Sequence, residues 1–116
     1  MEDNNNLRHL QSMLLAIARL EEFTQEHPIE EAMEDYRISD VILLEFKNLA
    51  NAASRLDSNF KVAHNDIPFN QMAAIRNRIA HDYLSVSLET LYQTIEDNIG
   101  EFKKLLLSII EEEAIK

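Results

Sequence analysis

The chain has 116 residues, 46% of them hydrophobic, with one Gly, two Pro and no Cys. That length suits one domain spanning 1–116 around a single core and excludes two, while so few turn residues exclude the many hairpins of an all-β sandwich or barrel. The missing Cys excludes disulfides, thiolate zinc sites and a Cys nucleophile, and a net charge of -10, from 11 Lys+Arg against 21 Asp+Glu, argues at first sight against contact with a polyanion.

Residues 1–6, Met-Glu-Asp-Asn-Asn-Asn, lack the basic and apolar regions of a signal peptide and are expected to be flexible. The first helix is expected over 7–25, with Leu7, Leu10, Leu14 and Ile17 at three- and four-residue steps and Asn6 as its N-cap. His27-Pro28 ends it, because a residue before proline is pushed out of the α region, and a short acidic helix follows over 29–35. Ser39 caps a helix ending near residue 57, whose stripe is Ile42, Phe46, Leu49, Ala53 and Leu56 and whose Ala50, Ala52 and Ala53 allow close helix approach. Residues 57–65 read as a polar loop. Asp66-Ile67-Pro68 then starts a helix over 67–82 through Phe69, Met72, Ile75 and Ile79, and the last pattern runs unbroken over 87–112. The apolar run 105–110 is interrupted by Ser108, so no membrane segment is expected and the default is a soluble cytoplasmic protein. The sum is an all-α, up-down antiparallel bundle of four main helices plus a short one.

Charge is unevenly spread. Residues 1–46 carry three Arg against eleven acids and residues 85–116 three Lys against seven, whereas 47–84 hold Lys47, Arg55, Lys61, Arg76 and Arg78 against Asp57, Asp66 and Asp82. The single non-acidic third of the chain contains Ala74-Ile75-Arg76-Asn77-Arg78-Ile79-Ala80-His81-Asp82-Tyr83. At ~100° per residue Arg76 falls just inside the apolar arc of its helix, so it must pair with a buried carboxylate or open into a cleft that an anion can reach. Asn77 and His81 share a face, while Arg76 and His81 diverge by ~140° and cannot converge on a straight helix. The set suits RNA cleavage without metal or cofactor. An imidazole can move a proton to or from a 2′-hydroxyl or leaving oxygen near neutral pH, and a guanidinium can stabilise charge on the phosphorane. Asn77 could hold the scissile group, and Arg78 adds a cation for RNA. Tyr83, seven after Arg76, would return to its face. His9, His27, His64 and His81 lack metal-ligand spacing as a set.

Arg76-x4-His81-x-Tyr83 resembles the R-x4-H-x-Y signature of the HepT branch of HEPN domains, small helical toxins paired with a minimal nucleotidyltransferase. Ala52-Ala53-Ser54-Arg55-Leu56, Asp66-Ile67-Pro68-Phe69 and the long final helix fit the same layout over nearly the whole chain. The resemblance implies a homodimeric, metal-independent endoribonuclease with Arg76 and His81 catalytic, Asn77 as the polar residue following the Arg, and Tyr83 accepting AMP from a nucleotidyltransferase antitoxin; Asn77 and Arg78 are the candidates for supporting RNA binding. The alternative it implies is a non-catalytic HEPN subunit that binds substrate for a two-component nucleotidyltransferase. One departure stands out: relatives often carry a Gly-Glu-Ala-Ala type sequence where this chain has Leu49-Ala50-Asn51-Ala52-Ala53.

Overall fold

A computed structural model describes residues 5–115, the Leu84 side chain excepted. Among them lie seven α-helices and no strand: α1 (Asn5–Glu26), α2 (Ile29–Glu34), α3 (Tyr36–Ser54), α4 (Ser58–Ala63), α5 (Phe69–His81), α6 (Leu88–Asp97) and α7 (Ile99–Ala114), with a 3₁₀ turn at Tyr83–Ser85. The all-α expectation holds.

Four boundaries differ from the sequence reading, each for a local reason. α1 already includes Asn5 and Asn6, and Asn6 reaches across the bundle to Asp57 through a 2.9 Å bond to its carboxylate and a 3.1 Å bond from its amide N–H. The expected flexible start otherwise falls on residues 1–4, outside the described residues. α3 starts earlier than Ser39 because Asp35 caps it, accepting the Arg37 N–H at 3.0 Å, whereas the Ser39 hydroxyl donates to the Tyr36 carbonyl. The supposed loop 57–65 contains α4. Asp57 caps it by accepting the Phe60 N–H at 2.9 Å, and burial of Phe60 holds the turn down. The long last pattern breaks at Asn98, next to Gly100; both are weak helix formers, and a Cβ at Gly100 would touch nothing, so packing does not demand the glycine.

The break lets one apolar stripe serve two neighbours. α6 lies against α2, with the Tyr92 hydroxyl donating to the His27 carbonyl at 2.7 Å, and α7 lies along α1, where Lys103 meets Glu21 at 3.0 Å. α1 also packs on α3, and α5 covers the other flank of α3. Leu10, Met13, Ile17 and Leu20 of α1, Ile42 of α3 and Leu106 of α7 are fully buried where these helices meet.

Candidate active site

α5 carries the motif and leans on α3 through buried Met72 and Ile79, with Ile75 half-buried beside them. It contains no acidic residue. Arg76 is half-buried beside this stripe and has no hydrogen bond or ion pair among the described residues. Among the described residues the buried-carboxylate option is therefore not the one taken, and the half-buried guanidinium has no counter-charge there. Asn77 and His81 are exposed on their shared face. Because α5 stays helical through His81, the divergence from Arg76 persists within one chain.

Past His81 the geometry departs from expectation. Asp82 adopts φ -150° and ψ 63°, which ends the helix and puts Tyr83 into the 3₁₀ turn. The seven-residue register from Arg76 therefore does not reach Tyr83, a residue that is 43% exposed and whose hydroxyl has no partner among the described residues. Arg78 also has a structural task. Its Nη2 donates to the Ser85 carbonyl at 3.1 Å and hydroxyl at 3.3 Å, and that hydroxyl donates to the Asp82 carbonyl at 2.8 Å. The guanidinium thus fastens the turn that presents Tyr83 to the last turn of α5.

Two neighbouring surfaces bound the site. Beside α5, toward α6 and α7, lies a groove of about 450 Å³ floored by Phe46, Leu49, Met72 and Ile99 and rimmed by Asp66 and Glu101, with no basic residue in its lining. A polyanion is repelled there. Asn51 lines a smaller groove between α1 and α3 with Arg19, Glu45 and Asn48, on the flank of α3 that faces α1. Lys61 lies within the stretch read as a loop; the signal for its helix was Asp57, three residues before buried Phe60. Its Nζ donates to the Ser54 carbonyl at 3.0 Å and stands 5.9 Å above the Phe69 ring, at the start of α5.

Comparison with known proteins agrees with this layout. A family model described as "Ribonuclease HepT-like" matches residues 13–109. The chain is 29% identical over 101 residues to a "Probable ribonuclease HepT" of Thermococcus cleftensis, covering 84% of this chain and 92% of that one. It is 23% identical over 84 residues to a "Putative RNase" of Caldanaerobacter subterraneus, covering 72% and 75% of the two chains. A "Gamma-glutamylcyclotransferase and putative RNase" of Methanocaldococcus jannaschii is 23% identical over 104 residues, which span 90% of this chain but 47% of that longer protein. No solved structure gives a significant match. With the motif helix, its flanking elements and nearly the full length matched together, the chain belongs to the HepT-like ribonuclease family.

Proposed function

We propose that the protein is an endoribonuclease toxin that cleaves RNA by attack of the strand's own 2′-hydroxyl, at a cleft formed by two copies of the Arg76–Tyr83 segment. The observation that carries this reading is Arg76, a half-buried cation without a counter-ion on an acid-free helix of an acidic protein. A phosphodiester supplies the missing charge. The 2′ oxygen bonds to the adjacent phosphorus, the bond to the 5′ oxygen breaks, and His81 takes the 2′ proton or gives one to the leaving oxygen. Arg76 stabilises the charge gathered on the phosphorane, and Asn77 holds a non-bridging oxygen. No metal or cofactor has a part in this scheme. A two-fold dimer brings Arg76 of one copy toward His81 of the other, which removes the ~140° obstacle.

The proposed antitoxin is a minimal nucleotidyltransferase that adenylylates Tyr83. The phenol oxygen attacks the α-phosphorus of ATP, pyrophosphate leaves, and the phenolic proton is lost to the partner enzyme's base. Exposure of the ring and the unpartnered hydroxyl support this role. The adduct blocks RNA sterically and by repulsion. The alternative, a non-catalytic HEPN subunit serving a nucleotidyltransferase, is favoured by one feature: nothing among the described residues of a single chain orients the His81 ring.

Incubation with the partner nucleotidyltransferase, ATP and Mg²⁺ is expected to add ~329 Da, the mass of an AMP residue, and to stop RNA cleavage, with both effects lost in Tyr83→Phe. An adduct on Tyr36 or Tyr92 refutes the regulatory assignment. RNA left intact by the purified, unmodified protein favours the non-catalytic alternative.

A further inference from the structure

An acidic nuclease must confine its polyanionic substrate to whatever face does not repel it. Here that face is sharply delimited: residues 46–81 contain only two acids, Asp57 and Asp66, of the 21 in the chain. Neither is free to oppose a phosphate on the outer side of the seam between α3 and α5. Both Asp57 carboxylate oxygens are engaged, by the Phe60 N–H and the Asn6 amide, and Asp66 lines the groove toward α6 and α7.

The cations on this seam are set out in register. On α3, Lys47 lies on the stripe Leu43-Lys47-Ala50-Ser54, at four-, three- and four-residue steps, which with buried Leu43 and Ala50 puts it at the margin of the face that α3 buries. At the end of that stripe the Ser54 carbonyl anchors the Lys61 ammonium above Phe69. Phe69 and Arg76 are seven residues apart on α5, two turns or ~10 Å along one stripe. Lys61, above Phe69, and Arg76 thus mark one stripe of α5, with exposed Lys47 on the neighbouring α3, and His81 lies off this stripe, ~140° round the helix from Arg76. Lys47 is exposed, and neither lysine has a carboxylate partner among the described residues.

We propose that Lys47 and Lys61 form a phosphate-binding track along the α3–α5 seam, which holds a single RNA strand and leads it to Arg76. The proposal rests on the ribonuclease reading above and adds to it the direction in which the substrate lies. Lys61 is the preset end, fixed by a carbonyl and a ring. Lys47 is the mobile end, free to follow the backbone, an arrangement suited to sequence-tolerant binding of single strands.

The test uses the full-length chain inactivated as His81→Ala and a fluorescein-labelled single-stranded uridine 12-mer, with anisotropy read over a range of KCl concentrations. Adding Lys47→Ala and Lys61→Ala together is expected to weaken binding about tenfold and to flatten the slope of log affinity against log salt by ~1.4, since each lost phosphate contact on a single strand removes ~0.7. Lys104→Ala, on the far helix α7, is the charge control and should leave the slope unchanged. Circular dichroism melts establish that the variants fold. A double variant with wild-type affinity and slope, or a loss matched by Lys104→Ala, overturns the track while leaving the nuclease reading intact. If the parent protein with native His81 cleaves no RNA and His81→Ala binds none, the nuclease reading itself fails and the track with it.

Discussion

In the proposed mechanism Arg76 and His81 divide the chemistry between a charge and a proton, and their surroundings set what each loss should do. Arg76 lies beside the apolar stripe of α5 with no carboxylate partner among the described residues, so that mechanism gives it phosphate as its partner both before and during reaction. Arg76→Ala is therefore expected to lower affinity and rate together, and Arg76→Lys to rescue poorly, because a point charge does not reproduce a bidentate contact. His81 stands exposed at the end of α5, and in the proposed mechanism it acts only once a proton moves. His81→Ala should cost ~10²- to 10⁴-fold in rate with RNA affinity nearly unchanged. Single-turnover cleavage and anisotropy on the same variants check the split; equal losses of binding in both would contradict it. These residues were legible as candidates from the motif alone. Whether Arg76 was internally paired was not, because the chain offers 21 acids and one-dimensional spacing does not say which of them α5 faces. The task of Arg78 was also hidden, since it depends on a 3₁₀ turn that Asp82 creates by leaving the helical region.

At the scale of elements, the caps decide where helices begin. Ser39 and a loop were the expected features where Asp35 and Asp57 take the caps, and in α4 the three-dimensional burial of Phe60 outweighs the polarity of its neighbours. The Phe60 N–H first, and the Asn6 amide next, hold the Asp57 carboxyl below its ordinary range. A carboxyl depressed in the folded state binds fewer protons there than in the unfolded chain. Its stabilising effect is thus complete above the unfolded value of ~3.9 and fades as pH falls through the lower folded value. Asp57→Ala should lower the melting temperature by roughly 2–8 °C at neutral pH, and this gap should close as pH falls below ~4. Melts of both proteins across that range check it, and a gap that is constant with pH would mean that the cap is not what Asp57 contributes. The break between α6 and α7 shows the opposite balance: the continuous stripe from Leu88 to Ile109 reads as one helix, and only the need to reach both α2 and α1 makes the weak point at Asn98 and Gly100 give way.

Over the whole molecule, acidic helices surround one acid-poor seam, and the chain is a rod of 49 × 27 × 22 Å with the motif on one of its flanks. In the proposed function two-fold pairing completes the site of a rod whose Arg76 and His81 lie on diverging faces, so light scattering at micromolar concentration should give twice the 13.5 kDa chain mass. A strictly monomeric protein that still cleaves RNA would remove the need for the shared cleft.

The most direct test of 2′-hydroxyl attack at the motif compares two substrates in the presence of EDTA: an RNA oligonucleotide cut at a mapped position, and the same oligonucleotide with a single 2′-deoxy sugar at that position. The wild-type protein is expected to cut the first and leave the second whole there, with His81→Ala slow on the first. Cleavage of the deoxy-substituted strand at that position, or loss of wild-type activity in EDTA, would contradict the mechanism.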